Sequence, residues 1–282
     1  LVLSLLGLLG RLPLGVLRAI GARFGTLARW LRLREARVAR RNLDAVFPDW
    51  TAAQRERLYR ETLRQTGAAV FELAWLWTRP PAEVLGRVQS VEGLAHLESL
   101  QAGSGPVLVL TPHIGAFELL SLWLAQRFDI QVLYRPPKQA WLEDLLVAVR
   151  SRTGATLLRA QPAAVRQLLR HLKSGGAVGI LPDQQPKAGE GEFAPFFGIP
   201  AFTMTLAPKL AAMPGVRVLL AWVECVPGGF VVHLSRPEPA PVDATRLNAA
   251  VETVARQVPA QYQWGYKRYS MRPSAEAGRF YD

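Results

Sequence analysis

The residues best suited to acid–base chemistry are His113 and Glu118, five positions apart in Thr111-Pro112-His113-Ile114-Gly115-Ala116-Phe117-Glu118. Imidazole exchanges a proton near neutral pH. A carboxylate bonded to one ring nitrogen fixes the tautomer and stabilises the imidazolium. The other nitrogen can then deprotonate an alcohol, a step typically worth about 10²–10⁴ in rate. On a straight helix five residues subtend about 140°, so the two side chains would diverge. The pair works only if His113 lies in a turn and folds back over the helix carrying Glu118. Such a short spacing recurs by chance, and a position at a strand end is what gives it meaning.

Other chemistries have weaker footing. The sequence has no G-x-S-x-G nucleophile elbow and no G-x-x-x-x-G-K-[ST] phosphate loop. His96, His171 and His233 are scattered, and none stands at metal-ligand spacing from His113. No metal and no cofactor are expected. The single cysteine, Cys225, forbids an intrachain disulfide and is expected to be a buried thiol in a reducing setting.

The elements that must position the pair can be read from pattern. Thr51 is an expected N-cap for a helix over 52–77, which Arg79-Pro80-Pro81 ends. A shorter helical region surrounds 93–100. The apolar run 106–110 follows Gly103-Ser104-Gly105 and reads as a buried strand, with a helix over 115–127. Strands are expected over 130–134, 155–158 and 177–181, alternating with helices over 141–152 and 163–173. A long irregular loop spans 182–200, and a helix 203–212. Strands 216–223 and 230–234 run antiparallel across Pro227-Gly228-Gly229, and a helix over 244–258 closes the domain. This alternation implies an α/β fold with a largely parallel sheet covered by helices on both faces. His113 falls at a strand's carboxyl end, where such sheets carry their sites.

Composition supplies the setting. Half of the 282 residues are apolar and a fifth are charged, as in an ordered chain. Lys and Arg outnumber Asp and Glu by 34 to 22, a net charge of +12, which suits an anionic partner. Nine arginines and one acid fall within residues 1–41. The apolar stretch 1–10 is about half of the roughly 20 residues that a spanning helix needs. It is read as the end of a spanning helix that begins upstream, or as an interfacial helix with arginines at the headgroups. The competing reading is a basic helix packed on the domain. A signal peptide is disfavoured because the basic residues follow the apolar stretch. Nucleic acid is disfavoured because the cluster is Leu-rich and lacks interleaved aromatic platforms. The expected division is a membrane-anchoring helical region, 1–41, and an α/β domain, 42–282.

Further segments combine with His113 and Glu118 into a wider pattern. They are Arg40-Arg41-Asn42-Leu43 with Phe47-Pro48, Tyr134-Arg135-Pro136, and Arg150, Arg152 and Arg159. They continue with Leu181-Pro182-Asp183-Gln184-Gln185-Pro186, the block from Phe193 through Phe196-Phe197 to Ala201, Gln261-Tyr262-Gln263-Trp264, Lys267-Arg268 and Arg272-Pro273. Over nearly the whole chain this resembles the lipid A late acyltransferases, the lauroyl and myristoyl transferases of Gram-negative bacteria, within the glycerolipid acyltransferase superfamily with its His-x4-acid dyad. The chain departs from that pattern at Gln184-Gln185, where a second acid is common. It departs also at Tyr266, where a His is common, and at Ser270, where a Lys is common.

The resemblance implies an enzyme of lipopolysaccharide biosynthesis at the cytoplasmic face of the inner membrane. The implied donor is acyl carrier protein, and the implied acceptor is a phosphorylated glycolipid, a lipid A precursor. His113, paired with Glu118, deprotonates the acceptor hydroxyl, which attacks the thioester carbonyl. Arg135 and Arg159 stabilise the oxyanion or grip phosphates, with Arg150 a further basic contact. Asp183 binds sugar hydroxyls or orients an arginine. Phe196 and Phe197 line an acyl channel or simply pack the core. Other readings stay open: a lysophospholipid or aminolipid acceptor, a hydrolase, or a non-catalytic basic membrane-binding protein.

Overall fold

The computed structural model describes residues 2–103, 105–137, 139–274 and 278–281; Leu1 of the apolar stretch and Ser104 of the expected turn lie outside these. Four helices open the chain: α1 (Val2–Leu9), α2 (Leu14–Trp30), α3 (Arg34–Val46) and α4 (Ala52–Thr78). After α5 (Pro81–Leu85) come β1 (Val88–Glu92), α6 (Leu94–Ala102), β2 (Val107–Leu110), α7 (Phe117–Ala125), β3 (Ile130–Tyr134), α8 (Ala140–Arg150) and β4 (Thr156–Arg159). Then follow α9 (Pro162–Lys173), β5 (Ala177–Ile180), β6 (Gly191–Phe196), β7 (Ile199–Met204), α10 (Leu206–Ala211), β8 (Arg217–Val226), β9 (Gly229–Ser235) and α11 (Ala244–Gln257).

Seven strands form one sheet in the order β1-β9-β8-β2-β5-β3-β4. Every neighbouring pair is parallel except β8 with β9, which is the antiparallel pair expected across Pro227-Gly228-Gly229. The central strands β2 and β5 are buried along their whole length, because helices cover both faces. On one face α3, α9, α10 and α11 bury Leu43, Leu168, Leu210 and Val251 against Leu108 and Leu110. On the other, α2, α4 and α7 bury Leu17, Trp75 and Leu119 against Val107 and Val109. Each such side chain contributes about 1.5–3 kcal/mol on full burial.

Thr51 caps α4 as expected. Its hydroxyl accepts from the Gln54 backbone N–H, and the Gln54 side chain returns a bond to Thr51, a capping box. The N-terminal helices lie against α4. Gly21 and Gly25 of α2 meet Gly67 of α4 so closely that a Cβ at Gly21 would stand 2.3 Å from the Gly67 carbonyl. Arg18 of α2 reaches past α4 to the turn between β8 and β9. It pairs with the buried Glu72 at 2.6 Å and donates to the carbonyls of Val226 and Gly229. Burial pushes the Glu72 carboxyl up, and Arg18 opposes that shift. No helix among the described residues is long and apolar enough to cross a membrane.

The loop expected over 182–200 gives way to a strand pair that pattern did not reveal, and β7 takes the first residues of the helix expected over 203–212, which begins only at Leu206. The strands β6 and β7 form an antiparallel ribbon in which Pro195 faces Pro200. Two prolines in ten residues argue against a strand inside a sheet, but a two-stranded ribbon has free edges that tolerate them. Its turn, Phe197-Gly198, has positive φ at both residues, 50° and 75°. That is the geometry favoured in two-residue hairpins. The unusual Phe197 backbone is held by its N–H donating to Glu252 at 2.7 Å and by its ring packing on Phe47 and Trp264. Strand β1 was also not anticipated. Three of its five residues are exposed and its sequence, Val-Gln-Ser-Val-Glu, carries little apolar signal.

Candidate active site

The chain leaves β2 at Leu110 and turns through Thr111 to Ala116 before α7 begins. Gly115 makes this turn possible. Its φ is 52°, and a Cβ there would stand 2.0 Å from the Val223 carbonyl. The same turn is pinned by Gly115 N–H to the Gln261 carbonyl at 3.0 Å and Ala116 N–H to the Val223 carbonyl at 3.2 Å. His113 therefore stands in a rigid turn at the carboxyl end of the sheet.

Its partner is Asp183. The Asp183 carboxylate accepts the His113 backbone N–H at 2.9 Å and the ring Nδ1 at 2.7 Å. Topology explains the meeting: β2 and β5 are parallel neighbours in which Leu110 pairs with Ile180. His113 and Asp183 each lie three residues beyond that paired position. Burial pushes the Asp183 carboxyl up, but the His113 charge and the hydrogen bonds it receives hold it below the usual carboxylate range. It is thus ionised and fixes the proton on Nδ1. Nε2 then carries the lone pair and accepts from the Gln184 side-chain amide at 3.2 Å, a contact that a substrate hydroxyl could replace. Gln184 also donates to Gln263 at 3.0 Å, and the Phe117 ring meets the imidazole edge-on. Burial and the nearby Asp183 charge push the Tyr262 phenol well above its ordinary value, so it remains protonated.

The expected contact between His113 and Glu118 is not made. Glu118 is the second residue of α7 and points toward α8, where Arg150 grips both its oxygens at 2.8 and 2.5 Å. Burial works against the Arg150 charge, and Glu118 outweighs it and raises the guanidinium above its usual value. Asp183, expected to meet sugar hydroxyls or an arginine, bonds the backbone and ring of His113. Arg159 grips Glu143 through two bonds of 2.5 Å, and Tyr134 donates to the same carboxylate at 2.7 Å. Arg135 is exposed and has no carboxylate partner among the described residues. Arg152 caps α4 by donating to the carbonyls of Leu76 and Arg79. Phe196 and Phe197 take the packing role: both are buried beside Tyr262, Trp264 and Phe47, and neither lines a cavity that His113 lines.

His113, Phe117 and Glu118 form the wall between two cavities. The larger, about 860 Å³, has a basic part with Arg135, Arg150, Lys187 and Lys209 and an apolar part with Leu120, Leu124, Ile130 and Val132. The smaller, about 170 Å³, lies under α4 between Val70, Leu73 and Leu76 and reaches Glu72 and Cys225. Burial and the neighbouring Glu72 charge push the Cys225 thiol well above its ordinary value, so it is a poor nucleophile. No cluster of metal-ligating side chains occurs among the described residues.

Gln263, Tyr262 and Gln184 stand out in the sequence only as parts of longer blocks, Arg18 only as one of the N-terminal arginines, and Glu72 not at all. A buried ion pair between two helices 54 positions apart leaves no local signal. The three departures from the late acyltransferase pattern prove to be one structural unit. Gln185 donates its backbone N–H to the Tyr266 hydroxyl at 2.9 Å and accepts from the Ser270 hydroxyl at 2.8 Å.

A family model for bacterial lipid A biosynthesis acyltransferases matches residues 1–270. The chain is 28% identical over 288 residues to the lipid A biosynthesis palmitoleoyltransferase of Escherichia coli (strain K12), covering 99% of this chain and 92% of that one. It is 26% identical over 293 residues to the lauroyltransferase of the same strain, covering 99% and 93%. It is 25% identical over 266 residues to the myristoyltransferase, covering 90% and 81%. With a fixed His–Asp pair open to two cavities and a match spanning nearly its whole length, this chain is an acyltransferase and belongs to the bacterial lipid A biosynthesis acyltransferase family.

Proposed function

We propose that the protein moves a fatty acyl chain from acyl carrier protein to a hydroxyl of a lipid A precursor at the cytoplasmic face of the inner membrane. The observation that carries the chemistry is the His113 ring, which lines both cavities with Nδ1 on a buried carboxylate and, among the described residues, Nε2 held only by the Gln184 amide. The acceptor hydroxyl gives its proton to Nε2 as its oxygen attacks the thioester carbonyl. The tetrahedral oxyanion collapses, the carbon–sulfur bond breaks, and the imidazolium returns its proton to the leaving thiolate. Asp183 holds the ring and balances the imidazolium. Glu118 acts through Arg150, which it fixes at the cavity wall. Arg150 and Arg135 supply positive charge for the oxyanion or the acceptor phosphates. Arg159, tied to Glu143, braces that rim and offers its exposed side to phosphate. The apolar part of the larger cavity suits a fatty chain.

The region 1–41 is the proposed membrane-associating part, and 42–282 the catalytic part. Support comes from the outer face of α1 and α2, which exposes Leu5, Leu8, Val16, Phe24, Leu27 and Trp30 beside Arg11 and Arg23. That mixture suits an interfacial helix on an anionic leaflet. Five of the nine N-terminal arginines have partners within the fold: Arg18 with Glu72, Arg29 and Arg40 with Glu56, Arg34 with Glu35, and Arg41 with the Phe280 carbonyl.

The test is mass spectrometry of lipid products. Purified protein is incubated with acyl carrier protein bearing mixed chain lengths and with a lipid A precursor, lysophospholipids or an aminolipid. One added acyl group on the lipid A precursor alone is the expected result. Gain on another acceptor would replace the substrate, and free fatty acid alone would make the enzyme a hydrolase.

A further inference from the structure

Outside the site, the strongest uncommitted charge lies on α9. Arg166, Arg170 and Lys173 follow one another at i, i+4 and i+7, so they share one helix face, opposite the buried Ala164, Leu168 and Leu172. All three are exposed, and none has a carboxylate partner among the described residues. The helix itself contains no acid. At about 1.5 Å rise per residue the three cations form a row about 10 Å long. That row begins one residue after Val165, which lines the larger cavity. Two further exposed cations, Lys187 and Lys209, stand on the wall of the same cavity.

We propose that this face of α9 is the docking surface for an acidic helical protein that carries the activated acyl group and delivers it into the larger cavity. The inference rests on the acyl-transfer reading above, which requires such a donor. A row of cations at helical spacing matches carboxylates at the same spacing on a partner helix. A bilayer is the other anionic surface to consider, but α9 and α10 expose no large apolar side chain that would insert, whereas α1 and α2 on the opposite side of the sheet expose several. Exposed cations at the rim of an interface act mainly on association rate and on its salt dependence.

The experiment replaces all three residues together, Arg166→Gln, Arg170→Gln and Lys173→Gln, in the full chain. Glutamine matches Arg and Lys in helix propensity, so α9 should survive, which circular dichroism and the thermal midpoint check. Transfer is measured from acyl carrier protein thioester and from a small acyl-N-acetylcysteamine thioester, and sedimentation with vesicles containing phosphatidylglycerol is measured alongside. With the carrier-borne donor, kcat/KM should fall by about tenfold or more at low salt and lose much of its salt dependence. With the small thioester it should stay within about twofold of wild type, because rim charges do not touch the reacting atoms. Equal loss with both donors, loss with neither, or loss of vesicle binding would each overturn the proposal. If the wild-type enzyme transfers from neither donor, the acyl-transfer reading fails first and takes this inference with it.

Discussion

At the scale of single residues, function turns on which carboxylate meets His113. Asp183 makes two bonds to it, one to the ring and one to the backbone. We expect His113→Ala to abolish measurable transfer in a folded protein. Asp183→Asn leaves the ring in place but removes the charge that supports the imidazolium, and turnover should fall by about 10²–10⁴. Glu118→Gln should act differently. It leaves His113 and Asp183 intact and frees Arg150, so the acceptor KM should rise more than kcat falls, as steady-state kinetics would reveal. Asp183 also couples stability to pH. Its native pKa lies below the ordinary 3.8, so its contribution is present above that value and is lost as pH falls through the lower native one. Urea unfolding of wild type and Asp183→Asn should therefore show a stability gap that narrows below about pH 4.

At the scale of elements, the site depends on one glycine and on register. Gly115→Ala forces a side chain to positive φ and drives Cβ toward the Val223 carbonyl. We expect it to cost at least about 2 kcal/mol, measured by urea unfolding, and to lower activity beyond that by moving His113. Thr51→Ala should cost about 1 kcal/mol through the lost capping box while leaving turnover unchanged. The elements around the site were legible because buried strands and amphipathic helices write themselves as periodicity. The strand Ile130–Tyr134 and the start of α4 after Thr51 are cases where local signal and structure agree. The partner of His113 was not legible in the same way. Glu118 is close in sequence, and Asp183 is close only after β5 lies in register beside β2. Seeing that pairing requires strand order, which local pattern does not carry. The ribbon of β6 and β7 was hidden for another reason: its prolines contradict ordinary strand propensity.

At the scale of the whole molecule, the basic charge is divided between separate faces. The outer side of α1 and α2 mixes arginines with exposed Phe24, Leu27 and Trp30, while α9 carries cations without large apolar neighbours. We expect Phe24→Ala, Leu27→Ala and Trp30→Ala together to weaken binding to anionic vesicles by on the order of tenfold or more, read by sedimentation. The close contact of Gly21 and Gly25 with Gly67, and the Arg18–Glu72 pair, make α2 a part of the catalytic body rather than a loose tether. The surface proposed to meet the bilayer is thus joined through α4 to the smaller cavity beside His113.

The central claim is that His113, oriented by Asp183, drives acyl transfer, and its most direct test is the rate at which acyl groups appear on a lipid A precursor with folded wild type and folded Asp183→Asn. We expect the variant to lose about 10²–10⁴ in kcat with little change in acceptor KM. A folded Asp183→Asn enzyme that turns over within a few-fold of wild type would contradict the claim and return the role of partner to another group.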